Sequence, residues 1–412
     1  MTITRRGFVT GALAFAGCRG GPAAEEAPTL RVGLVGCGSR GKSAAENCLA
    51  AAPNVELVAL ADLFPDRLAR ARKVLEATGH PGVRIDPARC FSGFDACRKL
   101  LAAGVDLAIL AAPPGFRPAH FEAAVEAGAH VFLEKPAAVD PPGVRRVLEA
   151  GQRAAAKGLA VVAGTQYRHQ ASFVETMRRI REGAIGELLS GRVYYHTGAN
   201  WAYARKAGES DAEWQIRNWP YFDWLSGDHI VEQHLHTIDV MCWVMGSPPL
   251  RAAGSGGRAA RTGPEFGNVY DHFAVDFEFP GGRRVASFCR QMANTANRVG
   301  AWFTGSEGTA DVYAGRIAGR RPWSYPGTPS IAQAYVQEHA DLVASIRSGR
   351  PLDETRAIAE STLAAILGRE AAYTGGEPGW DEIAASDLEL GPREPAFGPL
   401  EARPVPVPGT PR

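Results

Sequence analysis

The chain has 412 residues, of which 45% are hydrophobic, and a formal net charge of +1 from 45 Lys+Arg against 44 Asp+Glu. That length is enough for two domains with full cores. The charge balance argues against a nucleic-acid surface or an acidic tail and suits a small neutral or weakly charged substrate.

In chain order, Thr4-Arg5-Arg6-Gly7-Phe8-Val9 resembles a twin-arginine export signal. The apolar stretch 11–17 behind it is too short to span a membrane, which takes about 20 residues. Phe15-Ala16-Gly17-Cys18 resembles a lipoprotein cleavage box, making Cys18 a candidate lipid anchor. Ala14-Phe15-Ala16 is the alternative, an ordinary cleavage site, and a disordered terminus with chance arginines is the plain reading. On the export reading, the twin-arginine machinery carries the folded protein to the periplasm, free or as a membrane-anchored lipoprotein. Residues 1–28 are therefore assigned as export signal and linker.

From residue 30 strands and helices alternate. Strands are expected over 30–35, 55–61, 105–111, 131–133 and 160–164, and helices over 42–51, 65–77, 118–127 and 142–157. This alternation builds a doubly wound parallel α/β sheet, assigned to residues 29–165. Beyond Gln166, segments 191–196, 272–279, 284–292 and 301–304 alternate apolar and polar residues, as antiparallel strands with one solvated face do. Gly281-Gly282 reads as a hairpin turn. Residues 166–330 form a second α/β domain, and helices over 332–347 and 355–373 place 331–374 as helices packing back on the core. Residues 375–412 are a Pro/Gly-rich tail, extended over 404–408. The cysteines show no metal-like spacing. Cys90 and Cys97 are candidates for a pair in an oxidising compartment.

The sharpest local signal is Gly36-Cys37-Gly38-Ser39-Arg40-Gly41 after the first strand. Gly36 permits the tight turn, Gly38 lets backbone approach a pyrophosphate, and Gly41 allows close helix packing, with the helix N-terminus facing the phosphates. Asp62 ends the next strand, where it can accept hydrogen bonds from ribose hydroxyls. Its charge would repel a 2′-phosphate and favours NAD. Arg40 and Arg67 could reach such a phosphate, which keeps NADP open. A second signal is Glu134-Lys135-Pro136 after the apolar run ending at Leu133.

Together these residues resemble the Gfo/Idh/MocA family. The matching features are the glycine turn, Asp62, Ala112-Pro113 to His120, the run Ala127–Val131 into Glu134-Lys135-Pro136, and Gln166-Tyr167-Arg168. Ala112 stands where the family usually has Thr, and Ala129 where it has Lys. The family's Asp-x-x-x-His-x-x-Asp appears as Glu232, His236 and Asp239. The resemblance implies a Rossmann domain followed by a domain with a large, open, mostly antiparallel sheet of the kind that often supports homo-oligomers. It also implies a nicotinamide cofactor, carbohydrate-like substrates, and cofactor contacts from Ala112, Pro113, His120, Glu134, Lys135 and Gln166.

Taking hydride from a carbinol requires removing the hydroxyl proton in the same event, and a lysine acts as a base only when burial or a nearby cation makes it partly neutral. Lys135 is the expected general base or hydroxyl anchor. A single helix over 228–244 would bring His229, Glu232, His236 and Asp239 onto one face, within about 80° at ~100° per residue. His236 would then bind the substrate hydroxyl, and Asp239 would orient it. His229, Glu232 and His236 are also ligand types for a metal, although the spacing is not that of a known zinc motif. Arg168 and Arg217 are candidate substrate contacts. Trp219 and its aromatic neighbours Trp201, Tyr203, Tyr221 and Trp224 suit either sugar stacking or a core.

The leading expectation is an NAD(P)-dependent oxidoreductase acting on a sugar, glycoside or polyol. An exported enzyme must reoxidise its cofactor in place, so NAD is expected to be tightly bound. One alternative is a glycoside hydrolase or lyase that borrows and returns the hydride. The other is a non-catalytic sugar-binding protein with a vestigial nucleotide site.

Overall fold

The computed structural model describes residues 28–410. The twin-arginine-like segment and Cys18 lie outside the described residues. The first layer is a parallel sheet of β1 (Leu30–Val35), β2 (Val55–Asp62), β3 (Cys90–Ser92), β4 (Leu107–Leu110), β5 (His130–Leu133) and β6 (Val161–Ala163). Its spatial order is β3-β2-β1-β4-β5-β6. Helices α1 (Ser39–Ala51), α2 (Pro65–Glu76), α3 (Ala96–Ala102), α4 (Arg117–Glu126) and α5 (Pro141–Ala156) connect these strands. The central strands are apolar on both faces because helices cover both: β4, Leu-Ala-Ile-Leu, is buried throughout. The strand β3 and helix α3 were not expected from the sequence; with only three and seven residues, neither carries a readable period.

After α6 (Ala171–Arg181) come β7 (Leu188–Thr197) and four helices, α7 (Asp211–Arg217), α8 (Asp223–Ser226), α9 (His229–Glu232) and α10 (Leu235–Met245). The strands β8 (Arg251–Gly257), β9 (His272–Phe279), β10 (Arg283–Gln291), β11 (Arg298–Gly305), β12 (Gly308–Asp311), β13 (Arg316–Gly319) and β14 (Trp323–Ser324) complete a second sheet with β7. Its order is β14-β13-β12-β11-β7-β10-β9-β8. Only β7 and β10 run parallel; the other pairs are antiparallel. The alternation read from the sequence is visible in β9, where every second side chain is buried.

Three late helices, α11 (Ile331–Arg347), α12 (Thr355–Thr374) and α13 (Trp380–Ala385), return the chain across the first domain. Helix α12 packs against α5, α10 and β8 and is buried on nearly every face. A helix enclosed on nearly every side belongs inside a core, and here it joins the two sheets. Its polar side chains act as pins: Thr362 accepts from Ala137 N–H at 3.0 Å, and Arg369 donates to the Val139 and Gly227 carbonyls. The tail beyond Gly375 includes α13, which the sequence reading missed.

The Cys90–Cys97 pair is not formed: both thiols are free, with Cys97 buried in α3. Among the described residues no helix is long and apolar enough to cross a membrane.

Candidate active site

The carboxyl ends of β1, β2, β4, β5 and β6 deliver Gly36, Asp62, Ala112, Lys135 and Gln166 to one crest of the parallel sheet. In open α/β sheets ligands bind outside this edge. Gly36 adopts φ 94, and a Cβ there would strike the Ala111–Ala112 backbone. A Cβ on Gly41 would run into the Gly36 carbonyl, whereas one on Gly38 would meet nothing. The turn is therefore tight behind and open in front. No side chain caps the N-terminus of α1, so its first N–H groups are left for a ligand.

Asp62 is 8% exposed and accepts from Cys37 N–H at 2.7 Å and Phe64 N–H at 2.9 Å. Burial pushes its carboxyl above the usual range against the pull of those two donors and of Arg67. An open pocket lies beside it, lined among others by Phe64, Arg67, Phe94, Ala112, Pro113 and His120. His120 is driven down to about 4 by burial and by Arg117. It therefore stays neutral, with a buried Nδ1 that no described group meets. The buried Gln166 likewise has an unmet Oε1. An open glycine cradle, an uncapped helix end, a carboxylate at the second strand and two unmet polar atoms on the crest fit a dinucleotide.

The other end of the crest is ionic. Lys135 Nζ donates to the Glu232 carbonyl at 2.6 Å and to its Oε1 at 2.8 Å, with both side chains about one-tenth exposed. These partners lie 97 residues apart in sequence. An ammonium has three donors, so one remains for a ligand. Arg117 holds the Lys135 loop from behind by donating to the Pro136 and Ala112 carbonyls, both at 2.6 Å. Arg40 is not available for a 2′-phosphate beside Asp62: its Nε donates to Glu134 at 2.5 Å, and its guanidinium lies over the Tyr335 ring. Arg67 lines the cavity near Asp62 and donates to the Arg217 carbonyl at 3.1 Å.

The single helix expected over 228–244 is broken into α9 and α10 at Gln233-His234. At the break the Glu232 carbonyl accepts from Lys135, and His236 N–H turns to the Gln233 carbonyl at 3.3 Å; ahead of α9, Asp228 holds φ 71. Such strain persists only where neighbours fix it. Here Asp228 accepts from Tyr270 N–H at 2.7 Å, His229 N–H at 2.5 Å and the Tyr373 hydroxyl at 2.5 Å. The four polar residues therefore separate. His229 Nδ1 meets Asp228 at 2.9 Å, and Glu232 meets Lys135. Asp239 does not orient His236; it accepts a two-pronged ion pair from Arg168 at 2.8–3.1 Å and a 2.7 Å bond from Ser361. His229, Glu232 and His236 do not converge, and among the described residues no group of three ligand types is placed to hold a metal.

His236 is buried between the rings of Tyr167 and Tyr195. Burial, then the charges of Lys135 and Arg40, hold its pKa well below the ordinary histidine value. The ring is neutral and can accept a hydrogen bond from a hydroxyl.

Two expected substrate contacts lie elsewhere. Arg168 is spent on Asp239 and lies over Trp243, and Arg217 sits 3.8 Å above Phe64, bridged to Asp66 at the Asp62 end. Trp219 packs at the edge of a core containing Tyr221 and Trp224, while Trp201 and Tyr203 meet at a tilt in the open.

The sequence reading did not foresee Tyr195, Tyr335 or Glu338. Tyr195 donates to Gln233 at 3.1 Å beside His236. Glu338 is wholly buried, 3.6 Å from Arg40; burial and then Glu134 raise its pKa well above the carboxylate range. Its signal was present: Ala334, Glu338, Leu342 and Ser345 form the buried stripe of α11, and a carboxylate there cannot be surface.

Residues 30–164 match the family model for the Gfo/Idh/MocA oxidoreductase family, NAD-binding Rossmann fold, and residues 173–311 match the Gfo/Idh/MocA C-terminal domain. The Escherichia coli 2,7-anhydro-N-acetylneuraminate hydratase is 27% identical over 43% of this chain and 44% of its own length. The Escherichia coli D-glucoside 3-dehydrogenase is 25% identical over 54% of this chain and 56% of its own. The chain thus spans about half the length of these curated relatives. A Lactobacillus casei scyllo-inositol dehydrogenase structure, with NAD(H) and scyllo-inositol bound, superposes with a TM-score of 0.65 at 21% identity. It covers 86% of this chain and 99% of that one, a likeness of fold.

Proposed function

The chain belongs to the Gfo/Idh/MocA family of NAD-binding oxidoreductases, and from that premise we propose that it transfers a hydride between a nicotinamide cofactor and a hydroxyl of a sugar, glycoside or polyol. The observation that carries the reading is the convergence of Lys135, Glu232 and neutral His236 at one end of a crest whose other end has the glycine turn and Asp62. The names of the glucoside dehydrogenase and scyllo-inositol dehydrogenase relatives support the substrate class.

When bound, the nicotinamide supplies the site that accepts or returns the hydride. The residues of this chain do the rest. The N–H groups at the start of α1 and the open face of Gly38 would receive the pyrophosphate, and Asp62 would accept hydrogen bonds from the adenosine ribose hydroxyls. With Arg40 turned to Glu134, the carboxylate of Asp62 favours NAD over NADP. At the other end, Glu232 takes two donors of Lys135 and aims the third at the substrate oxygen, where negative charge develops. His236 accepts the proton of the same hydroxyl. Lys135 is thus a hydroxyl anchor and charge stabiliser, and its pairing with Glu232 sets its direction.

A second reading is supported by the hydratase among the relatives. Oxidation beside a glycosidic carbon acidifies the neighbouring C–H, permits elimination, and returns the hydride without net redox change. Turnover without an external acceptor, and without NADH accumulation, would select this course; dependence on an acceptor would select the dehydrogenase. A vestigial sugar-binding protein is the poorer reading, because it has no use for a buried Lys135–Glu232 pair.

Export by the twin-arginine route, with or without a lipid on Cys18, remains our proposal from the N-terminal sequence. Its test is fractionation of cells with and without that machinery; cytoplasmic retention in both would refute it. A homo-oligomer is supported by Tyr194, Phe288 and Trp302, an aromatic row on the sheet face opposite buried Val193, Val285 and Phe303. Light scattering of the purified chain tests it, and a monomer would refute it.

A further inference from the structure

The last part of the chain is not a loose extension. It leaves α12 at Thr374 and comes back to it, with Gly409 N–H donating to the Thr374 carbonyl at 2.9 Å. On the way it is tied to the first domain: Leu390 N–H donates to Asp140 at 3.1 Å, and Arg145 of α5 holds Asp387 and the Ser386 carbonyl. It is then tied to α7. Gly398 N–H donates to Ser210 at 3.2 Å and the Gly398 carbonyl accepts from Ala212 at 3.1 Å. Leu400 N–H reaches Asp211 at 3.2 Å, and the Leu400 carbonyl accepts from Gln215 at 2.6 Å.

These anchors hold Phe397 against two rings that line the pocket beside Asp62. Its ring stacks on Phe64 at 5.9 Å and meets Phe94 at 5.0 Å, and both of those rings line the cavity. Phe397 is 48% exposed and Phe94 38% exposed. Two large rings left half-open at the rim of a cavity, one of them held there by tethers on both sides, suit a flat aromatic ligand that stacks on them. The polar groups of the same cavity, Asp62 and Arg67, suit the sugar of a nucleoside.

We propose that the C-terminal loop, through Phe397, forms part of the cofactor site: its ring and that of Phe94 hold the adenine, and the loop slows release of the dinucleotide from the Asp62 end. This rests on the nicotinamide reading above and adds a retention element lying outside both family-matched regions. A cofactor held in this way would remain through successive turnovers, as either in-place recycling course requires.

The test is stopped-flow release of NADH. The full-length protein is preloaded with NADH and mixed with excess NAD, and the loss of bound NADH fluorescence is followed. Phe397→Ala should raise the release rate by about tenfold or more, the scale of one lost base–aromatic stack, and Phe397→Trp should restore it to near wild type. Reduced nicotinamide mononucleotide, which lacks the adenosine half, should leave wild type and Phe397→Ala at the same rate. Unchanged NADH release in Phe397→Ala would overturn the proposal. So would an equal acceleration for the mononucleotide, since that would mean general loosening of the fold. Wild-type protein that takes up no NADH would overturn the functional reading first, and this assignment with it.

Discussion

The two ends of the cleft are built in opposite ways. At β5, charged groups are largely enclosed and paired with one another: Lys135 with Glu232, Arg40 with Glu134, and Arg168 with Asp239. At β2, one carboxylate stands beside an open cavity walled by aromatic rings. A buried charge is costly unless paired, so the ionic end is rigid and its side chains are pre-aimed. The aromatic end is adaptable and gains by covering a ligand. Under the proposed function, the difference suits the first to chemistry and the second to holding.

The largest effect should come from removing the anchor at the ionic end. Lys135→Ala is expected to lower kcat/KM by about a hundred- to ten-thousand-fold while NADH affinity stays near wild type by fluorescence titration. Comparable losses in both would merge the two ends into one binding site and break the division. Next is the pair behind the site. Asp239→Ala leaves Arg168 unpaired and should cost about 3–5 kcal/mol, read as a lowered midpoint in urea. The double change Arg168→Met with Asp239→Leu should regain most of it. If Asp239→Ala instead leaves stability intact and abolishes turnover, Asp239 belongs to the chemistry after all.

At the opposite end, Asp62→Asn keeps the shape and removes the charge. NAD affinity should fall about tenfold, within the range of a hydrogen bond to a charged group, and the preference over NADP should narrow. An unchanged preference would remove Asp62 as the selector.

The smallest effect is in pH. His236 is held neutral by burial and nearby cations, and its pKa lies below the ordinary value of about 6.5. Activity should therefore stay level down to that pH and decline only beneath it. A decline starting above about 6.5 would contradict a neutral His236. At the other end, His120 titrates near 4 when folded. The unfolded chain binds a proton at this residue below about 6.5 that the folded chain refuses until about 4, so stability should fall across that window. His169 works in the other sense. Burial alone would lower it, but Glu354 and Asp341 outweigh burial and raise it to about 10. Its contribution is full below about 6.5 and is lost as pH rises through 10. His169→Gln should remove the alkaline loss from a melting-temperature profile and leave the acid loss in place.

Legibility in the sequence followed the range of the interactions. The glycine turn, Asp62 and the strand-end Lys135 are local signals, and the alternation of strands and helices is a local period, so the fold class and the crest could be read directly. The pairing of Lys135 with Glu232 joins residues 97 apart in sequence, and no local signal announced it. Helical periodicity runs unbroken through Gln233-His234, while at the break the Glu232 carbonyl is taken by the same distant Lys135. Arg168 looked like a free cation because nothing nearby in sequence neutralises it, and Asp239 does so in space; Arg217 is held both by Glu213 four residues back and by the distant Asp66. Phe397 sat in a Pro/Gly-rich tail with no period at all, and the bonds of Gly398 and Leu400 to Ser210 and α7 give it a place.

The most direct test is a single-turnover experiment. Wild type and Lys135→Met, each saturated with NAD, are mixed with a panel of sugars, glycosides and polyols, and reduced-nicotinamide absorbance and products are followed together. The expected result is rapid NADH formation with at least one carbohydrate hydroxyl in wild type, transient if the hydride is returned, and none in Lys135→Met at equal cofactor occupancy. Equal NADH formation in both proteins, or none in wild type across the panel, would contradict a hydride transfer organised by Lys135.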